Sequence, residues 1–250
     1  MKFFEIFFGI GFGQYWFNPL VSEEMLPLLF AGFFTIIAIA AYLLGSINFA
    51  IIISNRQFHE DIRSFGSKNA GATNMMRTYG KKAAALTFAG DALKAAVAAI
   101  IGYAIWGQMG AYVAGLFCVL GHMFPIYYRF RGGKGVVTTA ISVLMCSPFV
   151  FLCCITIFLI IAIGTKYVSL ASVMSAFLYP ILLYKLPAPF GAAGTAFPLF
   201  ALLIMLLIVL KHRENLVRLW QGKENKFSFG KKDKKKAEDA KENGDKEAHE

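Results

Sequence analysis

Charge is scarce in this chain. Asp, Glu, Lys and Arg make up 16% of its 250 residues, while 57% are hydrophobic. A soluble domain is about half apolar, so an ordinary soluble fold is excluded. Cysteine is also sparse: Cys118, Cys146, Cys153 and Cys154 all lie inside apolar runs, without a histidine at metal-ligand spacing. They read as core packing residues. Inside the apolar runs no cluster of carboxylates occurs, Asp91 standing alone; this argues against transferases that use a metal and a nucleotide-linked lipid. No internal repeat is visible, which weakens the reading as a membrane transporter of phosphorylated small molecules.

What the chain has instead is long charge-free runs. Met25 to Asn55, Ala95 to Tyr128, Gly135 to Thr165, Tyr167 to Tyr184 and Leu186 to Leu210 each reach the roughly 18 residues that a spanning helix needs. Two runs are too long for one helix. Gly107-Gln-Met-Gly110 divides one; Ser147-Pro148 divides the other, because proline cannot donate an internal helix bond and disfavours helix before it. The expectation is an all-α integral membrane protein of about seven transmembrane helices, near 26–55, 82–106, 110–128, 134–146, 148–165, 167–184 and 193–210.

Charge placement orients them. The formal charge is +10, and the tail from Lys231 to Glu250, with seven lysines against seven acids, contributes none of it. The excess lies in the loops holding Arg56 to Lys82, Arg129 to Lys134 and Lys166, and after the last helix from Lys211 to Lys226. With seven helices all four regions share one side, which the positive-inside rule makes the cytoplasm. The N-terminus is then outside and the C-terminus in the cytoplasm. Residues 1–24, rich in Phe with Tyr15 and Trp16, read as an interfacial segment rather than a signal peptide. Residues 25–229 form the membrane domain, and 230–250 a charged, disordered tail.

Polar residues gather at the cytoplasmic helix ends in four clusters. Gly45-Ser46-Ile47-Asn48-Phe49 is followed by Arg56. The loop from Asp61 to Arg77 interleaves Arg63, Ser67, Lys68, Asn69 and Asn74 with the glycines Gly66 and Gly71, as a loop folded around an anion requires. Arg129-Phe130-Arg131-Gly132-Gly133-Lys134-Gly135 precedes a helix: glycines permit close backbone approach, the helix N-terminus offers free N–H groups, and Lys134 adds a charge. It is not a nucleotide P-loop, since Gly135 stands where Ser or Thr would hold magnesium. In Lys211-His212-Arg213-Glu214-Asn215, His212 and Asn215 share a helix face. Asp91 and Lys94, three apart in an apolar helix, suit an ion pair that braces the site.

In this order and spacing the clusters resemble the bacterial acyl-phosphate:glycerol-3-phosphate acyltransferases, the PlsY family, over roughly Leu43 to Lys226. The marks include Gly45-Ser46, Asp61-Ile-Arg63, Gly71-Ala72-Thr73-Asn74, Gly121-His122-Met-Phe-Pro125, Gly132 to Gly135, Tyr167-Val168-Ser169-Leu170, His212 to Asn215 and Glu224-Asn225. Asn48 and Ala50 depart from the family's usual proline and glycine. The resemblance implies a multi-pass enzyme of the bacterial inner membrane whose active site faces the cytoplasm, with no cofactor, metal or nucleotide, and no nucleic-acid partner. Acyl phosphate and glycerol 3-phosphate are the implied substrates and membrane lipid the surroundings. The catalytic set is then Ser46, Arg56, His212 and Asn215. Substrate phosphate falls to Arg63, Ser67, Asn69, Asn74, Gly132, Gly133, Lys134, Gly135 and Ser169, with Asp91, Lys94 and Glu214 as structural support.

Acyl phosphate is already activated, so the task is to hold two anions together. The other large class of glycerol phosphate acyltransferases resembles a His-x4-Asp pattern. Here Ser64, Tyr127 and Val217 follow His59, His122 and His212 at that spacing, so no such dyad exists. A substrate phosphate oxygen is left to take the hydroxyl proton, with Ser46 and His212 positioning.

Overall fold

A computed structural model describes residue 22 and residues 24–186 and 196–227. The expectations for most of 1–24 and for 230–250 lie outside the described residues. Among those described every regular element is helical. α1 is Leu26–Gly45, α2 Phe49–Phe58, α3 Ala72–Tyr79 and α4 Lys81–Met123; α5 is Val136–Cys146, α6 Pro148–Thr165, α7 Val168–Lys185, α8 Ala196–Lys211 and α9 Arg213–Trp220.

The breaks have local causes. Ser147 is extended (φ −154°, ψ 83°) ahead of Pro148, as a residue preceding proline prefers. α4 is interrupted at Trp106 (φ −139°) and Gly107 (φ 55°), and there it doubles back. Gly102 on the first leg abuts Gly110 on the second so closely that a Cβ on either would overlap the other's carbonyl. Small residues thus let two backbones meet.

Two boundaries correct the sequence reading. The segment expected as one helix over 26–55 breaks after Gly45, because Asn48 is extended (φ −103°, ψ 106°) and its Oδ1 accepts the Ile51 N–H at 3.1 Å, capping α2. The second leg of α4 stops at Met123, not 128: Pro125 follows, and Ile126–Tyr128 is a short 3-10 turn.

Among the described residues, four helical runs are long and apolar enough to cross a bilayer: Pro27–Phe58, Lys81–Tyr128, Pro148–Thr165 and Val168–Lys185; Val136–Cys146 and Phe197–Lys211 are apolar but shorter. α1 packs on the α4 hairpin through Ile37, Ala41, Ala95, Ala98, Val113, Ala114 and Cys118, with Phe30, Phe33 and Phe34 around Trp106. α5 to α8 close on the second leg through Leu116, Val119, Val143, Val150, Tyr179, Ile204 and Ile208. The outer face of α6 is bare apolar surface, with Ile160 and Ile163 65% and 72% exposed. Such a face suits hydrocarbon, not water.

The polar ends assemble at one end of the bundle. Lys94 Nζ donates to the Ile47 carbonyl freed by the α1–α2 break (2.6 Å), Lys211 Nζ to the Met123 carbonyl (2.7 Å) and the Phe227 N–H to the Lys166 carbonyl (2.7 Å). These bonds bring the C-terminal ends of α1, α4, α6 and α8 beside the N-terminal ends of α5, α7 and α9.

Candidate active site

A cavity of about 530 Å³ opens at that end. Four helices begin on its wall: α3 after Gly71, α5 after Gly135, α7 after Tyr167 and α9 after His212, and none has a side-chain cap. An uncapped N-terminus leaves backbone N–H groups without partners and a partial positive charge. Four first turns on the wall of one space suit an anion there. Lys68, Arg77, Lys134 and Arg218 add full charges to the lining.

The side chains form a connected set. Lys134 Nζ donates to Asn215 Oδ1. Asn215 Nδ2 donates to Glu224 Oε1 (2.6 Å), Ser169 Oγ to the same oxygen (2.9 Å) and Arg218 Nε to Oε2 (2.9 Å). Desolvation of Glu224, whose side chain is 5% exposed, works against its charge; these three bonds outweigh it and hold the carboxyl below its usual range. Burial pushes Lys134 down to about 8, against the pull of Glu224 and with help from Arg218 and Arg77. His212 is pushed down to about 4 by burial and by Lys134, and is neutral at pH 7. Its Nδ1 lies 2.8 Å from the Ile208 carbonyl. A carbonyl only accepts, so Nδ1 carries the proton and Nε2 keeps a lone pair.

The glycines act by close approach. Gly135 caps α5 at φ 75°, a conformation other residues avoid. A Cβ on Gly133 would lie 2.6 Å from the Ala70 carbonyl and run into the His122 ring. The Gly133 N–H donates to the His122 carbonyl (3.1 Å), so it is not free for a ligand.

Of the residues singled out in the sequence, Ser67, Asn69, Asn74, Lys134, Gly135, Ser169, His212, Glu214, Asn215 and Asp91 line the cavity. Others sit differently. Ser46 is fully buried; its hydroxyl donates to the Tyr42 carbonyl (2.8 Å) and accepts the Ile126 N–H (3.4 Å), tying α1 to the loop after α4. Arg56 is exposed on α2, and neither it nor Ser46 lines the cavity. Arg63 is consumed by Asp61 (2.7 Å) and by the carbonyls of Tyr128 and Arg131. Gly132 lines a separate basic depression with Arg63, Arg129 and Arg131. Asn74 spends its amide inside its own loop, accepting from Ser67 N–H and donating to the Ile62 and Phe65 carbonyls. Glu214 is 3.9 Å from Arg218. Asp91 and Lys94 pair at 2.8 Å, each 2% exposed.

Arg77, His122, Arg218 and Glu224 also line the cavity, and sequence reasoning gave them no role there. His122 and Glu224 appeared only within family marks, Arg77 as the end of the candidate anion loop and Arg218 as topogenic charge.

A second, apolar groove of about 220 Å³ runs between α5, α6, α7 and α8, lined by Val143, Phe151, Ala176, Tyr179 and Ile204 among others. Phe88, Val136, Val137, Phe158 and Ser172 line both spaces, so the groove and the cavity adjoin.

The glycerol-3-phosphate acyltransferase family profile matches residues 35–222. A glycerol-3-phosphate acyltransferase of Finegoldia magna is 40% identical over 195 residues, covering 77% of this chain and 95% of that protein. One from Agrobacterium fabrum is 40% identical over 213 residues, covering 84% and 98%. Among solved structures, PlsY, an integral membrane glycerol 3-phosphate acyltransferase, in its glycerol 3-phosphate form superposes with a TM-score of 0.71 at 38% identity, over 78% of this chain and 96% of that one. Its lysophosphatidic acid form gives 0.69 at 36%, over 78% and 95%.

Proposed function

The chain belongs to the glycerol-3-phosphate acyltransferase family, and from that premise we propose that it moves an acyl group from acyl phosphate to glycerol 3-phosphate, releasing 1-acyl-glycerol 3-phosphate and orthophosphate. The observation that carries this reading is the junction of an apolar groove with a cavity walled by four uncapped helix N-termini. The acyl chain takes the groove from the bilayer and its phosphate the cavity. Glycerol 3-phosphate brings a second phosphate, and fixed dipoles with Lys134, Arg77 and Arg218 offset the repulsion between the two.

His212 has an Nε2 lone pair, so it accepts a hydrogen bond from the attacking hydroxyl and orients it. With its pKa near 4 it is a poor base, and the proton passes to the departing phosphate. Asn215, which keeps a second amide hydrogen besides the one given to Glu224, donates to a phosphate oxygen beside Lys134, and Ser169, whose single hydroxyl hydrogen goes to Glu224, holds that carboxylate in place. Ser46 acts at a distance by fixing the start of the loop that ends at Gly135; we assign Arg56 no contact with the reacting atoms.

The family resemblance and the charge bias support seven crossings, the α4 hairpin counting as two, with the N-terminus outside and the site facing the cytoplasm of a bacterial inner membrane. The test is purified protein in lipid vesicles given glycerol 3-phosphate with palmitoyl phosphate or with palmitoyl-CoA. Lysophosphatidate from the acyl phosphate alone is expected; product from the thioester alone overturns the choice of donor.

A further inference from the structure

The two histidines on the cavity wall present opposite chemistry. His212 offers a lone pair, as above. His122, at the end of the second leg of α4, is 4% exposed and lines the same space. Its Nδ1 lies 3.0 Å from Lys94 Nζ and 3.5 Å from Asp91 Oδ1. The Lys94 contact is within ordinary hydrogen-bond length whereas Asp91 Oδ1 is farther and makes no aligned bond, and an ammonium only donates, so Nδ1 is the acceptor and the ring proton sits on Nε2. Asp91 Oδ1, 2.8 Å from Lys94 Nζ though not aligned as a hydrogen bond, balances that charge, and the Ile47 carbonyl fixes the ammonium further (2.6 Å). A sealed ion pair thus locks the imidazole in one tautomer, with its N–H on the side away from the pair. Nε2 packs beside Gly133, where a Cβ would strike it. It has no hydrogen-bond partner among the described residues.

The position of this N–H is informative. Phe88, one helical turn before Asp91, and Val136, at the start of α5, belong to both groove and cavity. A chain in the groove and its phosphate in the cavity leave the acyl carbonyl at that junction, beside the first turn of α5 and in the cavity whose wall also holds His122. We propose that His122 is a catalytic hydrogen-bond donor, its Nε2–H holding the carbonyl oxygen of the acyl donor during attack. The proposal rests on the acyl-transfer reading of this site.

In the step, the glycerol hydroxyl oxygen bonds to the carbonyl carbon and the C=O π pair moves onto oxygen. There Nε2–H and the free N–H groups of α5 stabilise the negative charge without giving up a proton. When the pair returns, the bond from carbon to the phosphate oxygen breaks and orthophosphate leaves with the hydroxyl proton. A donor aimed where charge develops suits a neutral imidazole better than a cation, which would be a proton source.

The test uses the full chain in lipid vesicles, with His122→Ala and His122→Gln, the glutamine amide placing an N–H near the position of Nε2. The alanine variant should lose about 100- to 1,000-fold in kcat with KM for both substrates little changed, and glutamine should restore about tenfold of it. A second readout is infrared: the ¹³C-labelled ketone of an acyl phosphonate, which cannot transfer its chain, should show its C=O band moved to lower frequency by wild type and by His122→Gln, and unmoved by His122→Ala. A raised KM at constant kcat, or a band shift retained in the alanine variant, overturns the proposal. If His122→Ala fails to fold, an unshifted band in wild type and His122→Gln overturns it instead. Wild-type protein that makes no product overturns the acyl-transfer reading, whereas active wild type with an unimpaired alanine variant removes only the role of His122.

Discussion

Raising the pH should weaken substrate phosphate binding through Lys134 while the empty protein becomes more stable. Lys134 titrates near 8, so it is about nine-tenths charged at pH 7 and about one-tenth at pH 9. Glycerol 3-phosphate, with its second pKa near 6, stays a dianion across this window. Losing a hydrogen bond from a charged donor to phosphate costs roughly 1.5–3 kcal/mol, so KM for glycerol 3-phosphate should climb about tenfold or more between pH 7.5 and 9.5. Stability runs the other way. The unfolded lysine titrates at 10.5 and the folded one at about 8, so between those values the unfolded chain binds more protons and folding is favoured as pH rises. Steady-state kinetics and thermal melts across the window, on wild type and Lys134→Arg, separate the two trends. Arginine stays charged and should flatten the KM profile. An arginine variant whose KM rises with pH as steeply as wild type's would refute Lys134 as the titrating group.

Glu224→Ala removes the acceptor of three bonds; KM for glycerol 3-phosphate should rise several-fold, and trypsin should cut after Lys223 faster, read by mass spectrometry. Asp91→Asn leaves Lys94 buried and uncompensated, which should lower stability by about 3–5 kcal/mol; unfolding in lipid vesicles measures it, and Asp91→Leu with Lys94→Met should recover most of the loss. Ala176→Phe partly fills the apolar groove; turnover should shift from palmitoyl toward shorter acyl phosphates, seen by competing the two donors.

Legibility in the sequence followed how local each cause was. Pro148 and Gly107 mark their breaks because a missing N–H and a tolerated positive φ act within one or two residues. The break at Asn48 was hidden, since a single asparagine in an apolar run signals an N-cap only when the chain around it turns. Gathering of polar groups at one bundle end was legible from the alternation of apolar runs with basic loops. Which of those groups face the cavity was not. Asn74 and Arg63 have the chemistry of phosphate ligands but are used up holding loops, where they donate to backbone carbonyls that no helix or sheet pairs. His122 lies 28 residues from Lys94 and meets it only through the α4 hairpin. The convergence of four helix N-termini is wholly tertiary.

The central claim is attack at the acyl carbon, and isotope tracing tests it most directly. Palmitoyl phosphate carrying ¹⁸O in the bridging oxygen, turned over in vesicles with glycerol 3-phosphate, should yield one orthophosphate per lysophosphatidate, with the label in orthophosphate. Label in a released fatty acid, with glycerol phosphorylated again instead of acylated, would show cleavage on the phosphorus side and contradict the account.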